Sequence, residues 1–140
     1  MSVFQKLSLG AAGLTALGIG LAITFAPHGF YAGYGLTVGT DPVLLSELRA
    51  PGANLAALGA LILAGVARPG LARMSAAVGA LVFLAFAFGR GVSIALDGWP
   101  GEQILAALVI ELAIGALCLG ALRSSRTTTQ QASAATVQAG

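Results

Sequence analysis

Residues 103–122 read QILAALVIELAIGALCLGAL, an apolar run in which Glu111 is the only charged side chain. A helix of about 20 such residues crosses a hydrocarbon core that is about 30 Å thick. The run does not alternate between apolar and polar residues, as a membrane β-strand does, and Ala and Leu dominate it. This stretch therefore predicts a membrane-spanning helix.

Three earlier runs have the same character, and with their flanks the four predicted spans cover about residues 4–26, 43–66, 72–96 and 102–122. We expect an all-α fold, an integral membrane four-helix bundle in residues 1–122. Residues 123–140 are polar and low in complexity, which predicts a disordered cytoplasmic tail. In the second span, Gly52, Ala56, Ala60 and Ala64 follow one another at four-residue spacing, a pattern that favours close packing against a neighbouring helix.

The composition excludes several other classes of protein. Hydrophobic residues make up 57% of the 140 residues and charged residues 9%, and the mean hydropathy is +0.91. Soluble domains carry about 25% charged residues, and disordered chains are poor in apolar ones. One cysteine and one histidine exclude a disulfide scaffold and a zinc site, so we expect no metal. We also expect no cofactor and no nucleic-acid partner, because no glycine-rich loop joins a strand to a helix and the net charge of +2 belongs to short loops.

Basic residues are biased towards one side of the predicted bundle, which indicates its orientation. The flanks on that side contain Lys6, Arg68, Arg73, Arg123 and Arg126. The loops on the other side contain Asp41, Asp97 and Glu102. We therefore predict a multi-pass protein of the bacterial cell inner membrane with both termini in the cytoplasm.

Four ionisable residues fall inside the spans, namely Glu47, Arg49, Arg90 and Glu111. Counting about 1.5 Å per helical residue from the span ends places them at one level, in the outer half of the bilayer. Isolated charges at such depths are costly, whereas a neutral cluster is not. We expect Glu47, Glu111 or both to pair with Arg90 or Arg49. Two alternatives remain open: the pairs only hold the helix register, and Arg49 extends to the headgroups.

The spacing of further residues around these charges suggests a site. Phe86, Arg90, Ser93 and Asp97 share one helix face, with Phe83 one turn deeper, while Glu47 and Asn54 share a face of the second span beside Pro51. The candidate acid/base residues are Glu47, Arg90 and Glu111. The candidate ligand-binding residues are Arg49, Asn54, Phe83, Phe86, Ser93 and Asp97.

Three short motifs carry a resemblance to a known family. They are Ser46-Glu47-Leu48-Arg49, Gly89-Arg90 with Ser93 and Asp97-Gly98-Trp99-Pro100, and the lone Glu111 of the last span. In their order and spacing, over about residues 8–122, the chain resembles the bacterial membrane family catalogued as domain of unknown function 4345, which is itself similar to the DoxX-like four-helix membrane proteins. The resemblance implies the fold and the polar cluster, and it implies no activity.

Two functions from different classes fit these features. In the first, an outer-leaflet acid/base pocket binds a small lipophilic molecule, such as a quinone, isoprenoid, sterol-like or polyketide-derived compound, and isomerises or cyclises it. In the alternative, the chain is a non-catalytic accessory or structural subunit of a larger membrane complex. Transport is a weaker third hypothesis, because four spans without a repeat suit alternating access poorly. The expected partners are the lipid bilayer, a lipophilic small molecule, and a homo-oligomer or larger membrane complex.

Overall fold

A computed structural model describes the backbone of residues 1–138 and the side chains of residues 1–124. In chain order its helices are α1 (Val3–Phe25), α2 (Pro27–Ala32), α3 (Pro42–Ala67), a 3-10 turn (Pro69–Leu71), α4 (Ala72–Asp97) and α5 (Glu102–Gln138). The described residues contain no strand, so the predicted all-α class is confirmed.

Four helices are long and apolar enough to cross a membrane: α1, α3, α4 with its preceding turn, and α5 as far as Ser124. Their ends lie close to the limits expected from the sequence. The predicted disorder of residues 123–140 stays a prediction, because the side chains from residue 125 onward lie outside the described part of the chain. The start of α1 and the end of the α5 span lie at the same end of the bundle, where the Gln5 side chain donates a hydrogen bond to the Ala121 carbonyl. We call the opposite end of the bundle, where α1 ends and α3 begins, the α2 end.

The α3 helix begins at the α2 end because Asp41 caps it. The Asp41 carboxylate accepts a hydrogen bond from the backbone N–H of Leu44 at 2.9 Å, and Pro42 occupies the first turn, where it needs no hydrogen-bonded N–H. The α4 helix stops at the same end at Gly98, whose φ of 90° suits glycine. The α2 end of the bundle is therefore defined by local sequence signals.

Small residues bring α1 and α3 into backbone contact. A Cβ atom added to Gly20 would collide with the backbone of Ala56 and lie 2.6 Å from the carbonyl oxygen of Gly52, and one added to Gly59 would collide with the backbone of Leu17. The predicted ladder of small residues is thus correct at Gly52 and Ala56, but it is wrong further along, because Gly59 is buried and Ala60 is exposed. At 3.6 residues per turn, a strict four-residue spacing rotates by about 40° at each step and leaves the contact face.

The α4 and α5 helices pack against each other in the same way. Gly79 faces Cys118, since a Cβ on this glycine would lie 2.8 Å from the cysteine Sγ, and Gly115 faces Leu84. These contacts set the register in which α4 and α5 meet towards the α2 end. The result is that Arg90 and Glu111 lie opposite each other.

Candidate functional site

An ion pair joins α4 and α5 in the half of the bundle nearer the α2 end. Arg90 donates from Nε to both carboxylate oxygens of Glu111, at 2.9 Å to Oε1 and 2.8 Å to Oε2. The Arg90 side chain is 25% exposed and the Glu111 side chain 11%. Among the described residues this is the only ion pair, and it confirms the predicted pairing of Arg90 with Glu111. An arginine suits such a place because its guanidinium stays charged where water is scarce.

A cavity of about 810 Å³ lies beside this ion pair. Both members of the pair line it, and the remaining walls are mostly apolar side chains of α1, α4, α5 and the α2 segment, with Leu55 from α3. Cavities that hold small lipophilic ligands have volumes of about 300–1,000 Å³, mostly apolar walls and a few placed polar groups. The geometry therefore has both the size and the chemistry of a ligand site.

Small side chains on α4 and α5 leave the space beside the ion pair open. On α4, Gly89 directly before Arg90 and Ala85 five residues before it line the cavity. On α5, Ala107 lines the cavity one turn before Glu111. On the inner side of Glu111, Gly115 lets Leu84 approach closely. The carboxylate therefore faces an open cavity on one side and dense packing on the other.

The short helix α2 and the residues after it contribute the outer wall of the cavity. Phe30, Tyr31, Tyr34 and Leu36 line it from this segment. The Phe30 ring contacts both tyrosine rings: the centroids of Phe30 and Tyr31 are 5.2 Å apart in an edge-to-face arrangement, and those of Phe30 and Tyr34 are 5.5 Å apart. Such ring pairs favour a defined geometry. The segment is also attached to the start of α3, since His28 Nε2 donates a hydrogen bond of 3.3 Å to the Gly39 carbonyl in the tautomer that carries a proton there.

Several residues that the sequence singled out meet at this cavity. Phe83 is buried against the core, Phe86 is half exposed, and Ser93 lies near the cavity edge, where its hydroxyl donates to Asp97 at 2.9 Å. Those that line the cavity are Phe83, Phe86, Arg90, Ser93 and Glu111. Asp97 is linked to the site only through Ser93.

The α3 candidates occupy a different position. Glu47, Arg49 and Asn54 are exposed on α3 and are not among the residues that line the cavity. The reason is the face by which α3 packs: Gly52, Ala56 and Gly59 turn towards α1, and the polar residues of the first turns turn away from the bundle. Counting residues gave Glu47 the same depth as Arg90, but the two do not meet. Their predicted roles in a site stay predictions.

Sequence reasoning missed the aromatic wall from α2. Aromatic residues that follow a predicted span, as Tyr31 and Tyr34 do, are by themselves typical of a membrane boundary. A signal was present, because Phe30 and Tyr34 are four residues apart and so share a face of any helical turn formed there. Where that turn would pack depends on the whole bundle.

Comparison with known proteins gives one family and no individual relative. No curated protein and no solved structure matches the chain. The family described as Domain of unknown function (DUF4345) matches residues 4–122. That match covers all four apolar helices, including Arg90, Glu111 and the α2 segment. The chain belongs to the DUF4345 family.

Proposed function

We propose that this protein binds a small lipophilic molecule in the cavity between α1, α4 and α5. The single observation that carries the proposal is that the Arg90–Glu111 ion pair borders a cavity of about 810 Å³. An ion pair that only held two helices in register would need no open space beside it. Here mostly apolar walls surround one charged pair, and a few placed polar groups in an apolar site are the usual arrangement for orienting an apolar ligand.

The same pair provides the groups for the acid/base chemistry that we propose as a second step. Arg90 keeps its proton, so the group that can accept and return one is Glu111. A carboxylate that removes a proton from one carbon of a bound ligand and returns it to another moves a double bond without any oxidant. Isomerisation or cyclisation of an unsaturated ligand is the reaction class that this arrangement suits.

We also propose that the protein lies in the bacterial inner membrane with both termini in the cytoplasm. The basic side chains Lys6, Arg68, Arg73 and Arg123 all flank the helix ends opposite the α2 end. An excess of Lys and Arg in short loops is typical of the cytoplasmic side. In this orientation the cavity lies in the outer half of the bilayer.

A second candidate function is a subunit role, and one observation favours it. Glu47 and Arg49 are exposed on α3 near its outer end, on a helix that is otherwise apolar enough to cross the membrane. Lipid chains offer such groups no hydrogen bonds, whereas a second chain does. Under this alternative the exposed polar face of α3 contacts a partner, either a second copy or another membrane protein.

Photo-cross-linking tests the binding proposal. The protein in liposomes is irradiated with a farnesyl probe that carries a diazirine, and mass spectrometry locates the label. We expect labels on the cavity-lining parts of α4 and α5. The variant Ala107→Phe fills the cavity and should lower labelling by about tenfold, whereas Ala106→Phe, at an exposed position beside it, should not.

Two results would count against binding in the cavity. One is labelling spread evenly over the lipid-facing surfaces of all four helices. The other is equal labelling of the Ala106→Phe and Ala107→Phe variants. Labels confined to the exposed face around Glu47, together with a dimeric mass in detergent, would favour the subunit role instead.

A further inference from the structure

The Arg90 guanidinium uses only part of its hydrogen-bonding capacity. Both oxygens of Glu111 accept from the same atom, Nε, at 2.9 and 2.8 Å. An arginine has five N–H donors, and Nε supplies one of them. No described residue accepts a hydrogen bond from the two terminal Nη atoms of Arg90. In the common bidentate arginine–carboxylate pair, two guanidinium nitrogens each donate to one carboxylate oxygen, so an Nη atom would bind Glu111 beside Nε.

These donors belong to a side chain that borders the cavity. Arg90 is three-quarters buried and lines the cavity wall. No buried side-chain nitrogen or oxygen of the described residues lacks a hydrogen-bond partner, so the Nη atoms reach open space rather than being enclosed. In apolar surroundings, N–H groups without an acceptor cost free energy, and charged ones cost more. The Nη groups therefore favour a ligand that brings an oxygen acceptor into the cavity.

The charges around the cavity select among such acceptors. Arg90 and Glu111 are the only charged residues among the cavity-lining ones in the described part of the chain, and together they are neutral. An anionic headgroup at the Nη atoms would lie close to the Glu111 carboxylate and would leave a net negative charge in an apolar site. A cationic headgroup would offer the Nη atoms no acceptor. An uncharged oxygen acceptor avoids both costs.

We infer that the ligand carries an uncharged carbonyl-type oxygen, which accepts hydrogen bonds from the Nη atoms of Arg90 while its apolar body occupies the cavity. The aromatic walls fit that body. Five of the nine aromatic side chains of the protein line the cavity, namely Phe30, Tyr31, Tyr34, Phe83 and Phe86. Aromatic rings pack well against flat, unsaturated groups. This inference rests on the proposed binding function and specifies its ligand class.

Matched probes test the headgroup. Three farnesyl diazirine probes end in a methyl ketone, a carboxylate or a plain methyl group, and each is compared at equal mole fraction in the membrane. We expect the ketone probe to label the cavity at a mole fraction about tenfold lower than the other two need, since a hydrogen bond to a charged donor contributes about that factor.

Conservative variants then separate the donors from the charge. Arg90→Lys retains a positive charge for Glu111 but has no Nη fork, so the preference for the ketone over the methyl-ended probe should fall to less than about threefold. Arg68→Lys makes the same exchange in the exposed turn between α3 and α4, outside the cavity, and should leave all three probes unchanged.

The outcomes distinguish this inference from the function on which it rests. If all three probes label the wild-type cavity equally well, or the carboxylate labels it best, the headgroup inference is wrong and cavity binding stands. If no probe labels the cavity, the proposed function fails as well. The wild-type comparison alone decides between these results, even if Arg90→Lys does not fold.

Discussion

Removing one member of the Arg90–Glu111 pair should destabilise the protein more than removing both. In Glu111→Leu, the guanidinium loses its only described hydrogen-bond acceptor and cannot give up its proton. In Arg90→Leu, the stranded carboxylate can take up a proton, so the loss should be smaller. In the double variant, two leucines replace the pair and leave no charge behind.

The burial of the two side chains sets the expected magnitudes. Breaking a buried ion pair costs about 3–5 kcal/mol, and replacing the whole pair with apolar residues is often neutral. Because Arg90 remains 25% exposed, we expect Glu111→Leu to lower the free energy of unfolding by about 3 kcal/mol, the lower end of that range. We expect about 2 kcal/mol for Arg90→Leu and less than about 1 kcal/mol for the double variant. The coupling between the two positions is then roughly 4 kcal/mol.

Equilibrium unfolding by sodium dodecyl sulfate in mixed micelles, followed by circular dichroism, measures these free energies. Glu111→Gln is a matched variant, because it keeps an acceptor for Nε and removes only the charge, and it should fall between the wild type and Glu111→Leu. Additive losses in the double variant would refute the reasoning, since they would show that the two side chains act independently. A double variant that is stable but no longer labelled by the farnesyl ketone probe would assign the pair to the ligand site.

Three further predictions concern packing and topology. Gly20→Ala should cost about 1–3 kcal/mol in the same unfolding assay, because its Cβ would meet the backbone of α3, whereas Gly18→Ala, with no atom within 4 Å, should be neutral or slightly stabilising. Gln5→Leu removes both the buried 3.2 Å hydrogen bond to the Ala121 carbonyl and the capping hydrogen bond from the Ser2 N–H, and it should cost about 1–2 kcal/mol; an unchanged midpoint would show that both contacts are dispensable. Alkaline phosphatase inserted in residues 98–101 should be active in the bacterial periplasm and inactive when fused to the C-terminus; the reverse pattern would invert the proposed orientation.

Much of the fold could be predicted because lipid imposes strong constraints on sequence. A chain that satisfies every backbone hydrogen bond inside the bilayer must be helical, so four apolar runs of sufficient length determine four helices. The start of α3 was also predictable, since Asp41 and Pro42 are local signals for a helix beginning. Depth was predictable too: a fixed rise per residue placed Arg90 and Glu111 at one level, and they form an ion pair.

The face that each helix turns towards the bundle could not be predicted from depth in the same way. Glu47 has a depth similar to that of Arg90, yet it is exposed on α3, because the glycine and alanine contacts with α1 determine which face of α3 turns inward. Residue counting along one helix contains no information about its neighbours.

The cavity is likewise a product of tertiary structure. Its outer wall is the short helix α2, whose aromatic residues follow a span and by themselves are typical of a membrane boundary. Only the packing of α2 against the bundle places Phe30, Tyr31 and Tyr34 opposite the ion pair. Sequence alone thus determined the four long helices, their approximate ends and the depth of their charges. The tertiary structure decided which charges meet and that an open space lies beside them, because both depend on how helix faces pack against one another.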